Sequence, residues 1–215
     1  MMKSYAMSTS KPGISIADCA GMEETRRWLS LESALVDEMR AGPTAELLAR
    51  TAAVFMVARQ FPKRHPTDRA RDFDLAVAPF QQCLSGLAAE NVVSRVTQFA
   101  FALGAIEGLV RRKLKNDEGI RPLSAASKFV WVAAPEIGIV YDRLARTYLG
   151  RLGYRVPIGD YRGFVAAFLS ELPKHEDELS AVVKRLSTEA AAKPWMKRKL
   201  FDLWLYSNGK AALTD

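Results

Sequence analysis

The stretch that decides the fold runs from Leu123 to Leu149: LSAASKFVWVAAPEIGIVYDRLARTYL. Its first half, Leu123–Ala134, is apolar at nearly every position and lacks the strict alternation of a half-buried strand. It reads as a helix opened by Pro122 and closed by Pro135. A helix that is apolar all round belongs inside a protein, with other helices covering it. Between Pro122 and Ile139 only Lys128 and Glu136 carry charge. The break Pro135–Gly138 then leads to a second helix at about Tyr141–Leu149, with Asp142 at its start.

Working outward, apolar residues at spacings of three and four predict a helix at about Met22–Arg40, through Trp28, Leu31, Leu35 and Met39. Further helices are predicted at about Pro43–Gln60, Asp68–Val77, Phe80–Ala89 and Asn91–Lys115. Beyond the deciding stretch they follow at Tyr161–Leu172, Lys174–Ala192 and from Pro194 to about Ser207. Gly42-Pro43 separates the first two, Pro79 is expected to stop or kink the third, and Asn208-Gly209 to end the last. Tyr154–Ile158 is the one short strand candidate. Residues up to about Gly21 read as a poorly ordered lead-in, punctuated by Ser, Thr, Gly and Pro. The expectation is an all-α, compact bundle of about eight or nine helices, in one domain or in two lobes divided near Asn116–Pro122.

Composition narrows the function classes. The chain has 215 residues, of which 49% are hydrophobic and 26% charged. No apolar run approaches the roughly 20 residues that span a bilayer, and the N-terminus lacks the apolar segment of a secretory signal. No membrane association is expected, and the expected location is cytoplasmic. With two cysteines (Cys19, Cys83) and two histidines (His65, His175), neither a disulfide framework nor a metal centre is expected. Glycine-rich phosphate and dinucleotide turns, the zinc-helix motif and the nucleophile-elbow motif are absent, so no organic cofactor is expected. Both histidines read as solvated loop residues and Cys83 as a buried thiol.

Lys128 and Asp142 are the candidate catalytic residues. A lysine among Ala126, Phe129, Val130, Trp131, Val132 and Ala133 costs free energy unless it is paired or its stem snorkels to water. Burial also lowers its pKa, which is how a nucleophilic amine is made. Asp142, 14 residues on, is placed to pair with it or to serve as a base. The structural alternative gives Lys128 a path to solvent or a surface acid, and makes Asp142 an ordinary helix cap.

The net charge is +7, nearly all of the excess falling after residue 100. Charge of this kind speaks to polyanion partners. Arg112 and Lys113 end one predicted helix, Arg143 and Arg146 lie on the helix after Asp142, and Lys197 and Arg198 start the last one beside Trp195. These six are the candidate nucleic-acid contacts, with Trp195 able to stack on a base. The alternative leaves them as solvated faces, Arg198 pairing with Asp202 and Trp195 joining the core.

The order of a lysine-bearing helix, a break with proline, and an aspartate opening the next helix resembles the second half of the helix-hairpin-helix DNA glycosylases. The segment Ile139-Val140-Tyr141-Asp142-Arg143-Leu144-Ala145 is similar to that family's apolar segment with aspartate. In place of the family's glycine-bearing hairpin stands Arg121-Pro122-Leu123-Ser124-Ala125-Ala126-Ser127. The resemblance covers about 30 residues and implies that Lys128 attacks a sugar carbon while Asp142 assists. The chain also resembles uncharacterised bacterial all-helical proteins, a likeness that implies no activity. The expected function is a nucleic-acid-associated, DNA-glycosylase-like protein with DNA or another polyanion as partner. The competing expectation is a non-enzymatic helical protein-interaction module.

Overall fold

The computed structural model describes residues 13–63, 71–106, 112–113, 119–120, 122–186 and 192–213. They form an all-α bundle: α1 (Ile16–Gly21), α2 (Glu23–Met39), α3 (Ala45–Val54), α4 (Asp74–Leu84), α5 (Val92–Gly104), α6 (Leu123–Ala133), α7 (Arg143–Arg151), α8 (Tyr161–Glu171), α9 (Glu176–Val183) and α10 (Met196–Ala211). Among the described residues no helix is long and apolar enough to cross a membrane.

Helix α6 is the axis of the fold. Leu123 and every residue from Ala125 to Val132 are buried, Lys128 included. Helices α2, α3, α4 and α5 pack around it. Phe129 marks the centre, its ring 5.9 Å from Phe61, 6.0 Å from Phe80 and 6.2 Å from Phe99. Trp131, two residues on and on the opposite side of the helix, meets Trp195 edge-on at 5.8 Å. Trp195 is therefore core and has no free face for a base.

Several elements differ from expectation, each for a packing reason. Helix α4 passes through Pro79, so the predicted break there does not occur. The helix buries Ala76, Phe80 and Cys83 on one stripe, and the Phe80–Phe99 stack at 5.1 Å holds that stripe on α5. The predicted helix Asn91–Lys115 stops as α5 at Gly104. Arg112–Lys113 instead form strand β1, antiparallel to β2 (Gly119–Ile120). Residues 16–21, expected within the lead-in, form α1, which buries Ile16 and Cys19. Residues 1–12 of the lead-in, His65, and most of the expected lobe boundary lie outside the described residues. Tyr154–Ile158 is a connection and not a strand. The last helix does not end at Asn208-Gly209 but runs through both. Gly209 faces α7 so closely that a Cβ there would stand 2.6 Å from the Leu144 carbonyl carbon. Glycine here permits a close helix crossing, and Asn208 continues the helix because its side chain bonds Trp204 O and Ile14 O.

Helix α3 ends with Met56 at φ 55°. The Val57 and Met56 amides bond back to Ala52 O and Ala53 O, the left-handed ending in which glycine is usual. Met56→Gly is expected to raise stability by about 0.5–1 kcal/mol, since a side chain is strained in that region. The urea midpoint measures it, and an unchanged or lower midpoint would show that Met56 contacts outweigh the strain.

Candidate functional site

The loop between α6 and α7 carries the site from Lys128 to Asp142. The Tyr141 amide donates to Ser127 Oγ at 2.9 Å, so the residue preceding Lys128 grips the residue preceding Asp142. The Tyr161 hydroxyl donates to Ile139 O at 2.8 Å, and the Gly138 amide to Ala134 O at 2.8 Å. A Cβ at Gly138 would lie 2.9 Å from Trp131 Cα, so only glycine lets the loop fold back this tightly on α6. Arg198 bonds the carbonyls of Glu136 and Ile137 from the other side. Four separate anchors thus set the register of the Lys128 and Asp142 side chains.

Lys128 Nζ lies 3.6 Å from Asp142 Oδ2. The two oxygens of Asp142 divide their work: Oδ1 accepts the Leu144 amide at 2.7 Å as N-cap of α7, while Oδ2 faces the amine. The other contact of the amine is Phe55 O at 3.5 Å, and its ammonium sits 5.8 Å from the Phe55 ring centre. Lys128 is 7% exposed. Burial pushes its pKa below the ordinary lysine range; Asp142 and Asp202 oppose that, and the Lys199 charge adds to it.

A second lysine lies beside it. Lys199 Nζ makes ion pairs of 2.9 Å to Glu32 Oε2 and 2.8 Å to Asp202 Oδ2, all three residues being buried. Trp131 Nε1 donates to the same Glu32 oxygen at 2.9 Å. Desolvation raises the pKa of both carboxyls, with Lys199 opposing it. Desolvation also pulls Lys199 down, but Asp202 and Glu32 outweigh it and hold the ammonium above its ordinary range. Lys199 is thus held as the cation of a buried triad by its two ion pairs.

Sequence spacing does not single out Glu32 or Lys199, and it offers Asp202 only as a partner of Arg198. Glu32 was passed over because the α2 stripe was placed through Leu31; in the fold Leu31 is 40% exposed and Glu32 is 1% exposed. Lys199 directly follows the basic pair Lys197 and Arg198 and so looks like part of the same solvated face. The signal was present: Trp28, Glu32, Leu35 and Trp195, Lys199, Asp202 each fall on one face of a helix. Asp202 pairs with Lys199, not with Arg198 as an i,i+4 reading has it.

Both lysines and all three carboxylates border one cavity of about 60 Å³, whose other walls include Trp28, Phe55, Met56 and Tyr206. Among the described residues no cluster of three or more His, Cys, Asp or Glu side chains is arranged to hold a metal.

None of the proposed phosphate contacts whose side chains are described lines this cavity. Arg146 donates to Val156 O at 3.1 Å, Lys197 pairs with Glu176, and Arg198 holds the 136–137 carbonyls. Arg143 is exposed beside Asp142. Arg112 and Lys113 lie in β1, and their side chains are outside the described set. His175 is not a solvated loop residue: it packs 4.5 Å from the Trp204 ring and bonds Glu171 at 3.0 Å.

Because Asp142 is both cap and ion-pair partner, its two variants should separate. Asp142→Ala is expected to lose about 1–2 kcal/mol in chemical denaturation. Asp142→Asn keeps an acceptor for the Leu144 amide and should lose less than half of that. Equal losses would mean that the ion pair, and not the cap, dominates.

Comparison with known proteins yields no match to a family model, a curated protein or a solved structure.

Proposed function

We propose that this protein is an enzyme that uses the Lys128 amine as a nucleophile on an electrophilic carbon, with Asp142 carrying the proton. We further propose that it acts on nucleic acid in a DNA-glycosylase-like manner. One observation carries the reading. Lys199 and Lys128 are comparably buried, yet Lys199 is clamped by two short ion pairs while the polar contacts of Lys128 among the described residues are those at 3.5 Å and 3.6 Å. A purely structural lysine at that depth would be expected to have its charge fully satisfied. A loosely held amine with a lowered pKa, facing a carboxylate across a cavity, has the properties of an activated nucleophile. The net charge of +7 and exposed Arg143 beside Asp142 support a polyanionic substrate.

Borohydride added to the protein with an oligonucleotide bearing an abasic site is expected to trap a covalent adduct that Lys128→Ala does not form. Binding of the same oligonucleotide is expected to weaken log-linearly with salt. An adduct formed equally well without Lys128 removes the enzymatic reading. Salt-independent binding removes the nucleic-acid part of it. Loss of both leaves the non-enzymatic helical interaction module.

A further inference from the structure

The size and charge of the cavity restrict what can reach Lys128. A volume of about 60 Å³ holds roughly four or five water-sized groups. Only the reacting end of a substrate fits; the rest must stay outside. The charged lining residues are Lys128, Lys199, Glu32, Asp142 and Asp202. Lys199 is spent on Glu32 and Asp202 and is 2% exposed. Once Lys128 is a neutral amine, the lining offers one engaged ammonium against three carboxyl groups and no free cation to receive an anion. Trp28, Phe55, Val140 and Leu203 supply the apolar wall.

Resting on the amine-nucleophile reading above, we infer that the carbon attacked by Lys128 is the aldehyde of a short, uncharged end-group, and that α-keto acids and other carbonyls flanked by an anion are refused. The step balances within the pair. The Lys128 ammonium passes a proton to Asp142, and the amine nitrogen then adds to the aldehyde carbon to form the C–N bond. The second amine proton moves to the former carbonyl oxygen to make the hydroxyl. Asp142 returns its proton to that hydroxyl, and the C–O bond breaks to release water while the nitrogen keeps its third proton. The product is a protonated imine beside the Asp142 carboxylate. The imine cation replaces the ammonium cation one for one beside the Asp142 carboxylate, so a neutral carbonyl reacts without changing the charge of the lining, whereas an anionic one adds a negative charge to it.

The test uses the intact protein with cyanoborohydride at neutral pH and three separate probes: propanal, pyruvate, and an oligonucleotide carrying an abasic site, whose ring-opened sugar presents an uncharged aldehyde. Peptide mapping by mass spectrometry compares labelling at Lys128 with labelling at exposed Lys210. The propanal-to-pyruvate ratio at Lys128 is expected to exceed that at Lys210 by about tenfold or more, as like-charge repulsion at a few ångströms predicts. A ratio no higher than that at Lys210 overturns the inference. So does labelling of Lys128 by the abasic oligonucleotide without labelling by propanal. Both of those results leave the amine-nucleophile reading intact. If no probe labels Lys128, that reading falls and the inference with it.

Discussion

Replacing Lys199 with methionine is expected to cost about 3–5 kcal/mol of stability at neutral pH, because it leaves Glu32 and Asp202 buried without their cation. The methionine fills much of the same volume, so the loss measures charge and not a cavity. Its pH dependence identifies the cause. Without Lys199 the two carboxyls hold protons in the folded protein at pH values where the unfolded chain, in the ordinary carboxylate range, has released them. The folded state then binds more protons, so stability falls as pH rises through that window and recovers on acidification. The parent protein shares the direction more weakly, since burial already raises both groups. Urea titrations at pH 5 and pH 7 measure the difference. Combining Lys199→Met with Glu32→Gln and Asp202→Asn is expected to restore much of the loss at pH 7. A deficit below about 1 kcal/mol, or one independent of pH, would show that water reaches the triad and screens it.

The other large effect is expected at Gly209. A methyl group there would meet the Leu144 carbonyl carbon at 2.6 Å and the Leu144 Cα at 3.0 Å. Both atoms are backbone, so the only relief is to move α7 away from α10. Gly209→Ala is therefore expected to lose about 3 kcal/mol or more, at the upper end of overpacking effects. Because Asp142 caps α7, the same movement should widen the Lys128–Asp142 gap and reduce trapping at Lys128 in the residual folded protein. Gly150→Ala is the matched control: no atom lies within 4 Å of a Cβ there, and alanine favours the helix by about 0.5–1 kcal/mol. If Gly209→Ala unfolds at the same denaturant concentration as Gly150→Ala, the helix crossing is not as tight as described.

These two positions also show where sequence reasoning reaches its limit. Gly209 follows Asn208 in a pair that normally ends a helix, and locally that was the right inference. What overrides it is a backbone more than sixty residues earlier in the chain, to which no periodicity points. Pro79 is similar: the local rule predicts a break, while the Phe80 and Phe99 rings hold α4 together across it. Lys128 and Asp142 were legible because each violates its surroundings, one as a cation on an apolar helix and the other as a carboxylate opening a helix after a proline break. Glu32 and Lys199 violate theirs equally, but each also fits a plausible solvated face. A helix's spacing tells which residues share a side and does not tell which side is inside. The basic residues show the converse, since net charge is a property of composition, whereas Arg146, Lys197 and Arg198 are each engaged by a partner brought near by folding.

The sequence by itself determined that the chain is helical, roughly where most helices lie, and that one lysine is enclosed by apolar neighbours. Those properties follow from propensity and periodicity, which act within a few turns of backbone. Tertiary structure alone decided that Glu32 meets Lys199 and Trp131. Trp131 and Glu32, 99 residues apart, bond at 2.9 Å, and that oxygen also takes Lys199 from the last helix. The physical reason is that desolvation makes an unpaired buried charge intolerable, so pairing is selected by the packing of whole helices, which no local stretch encodes.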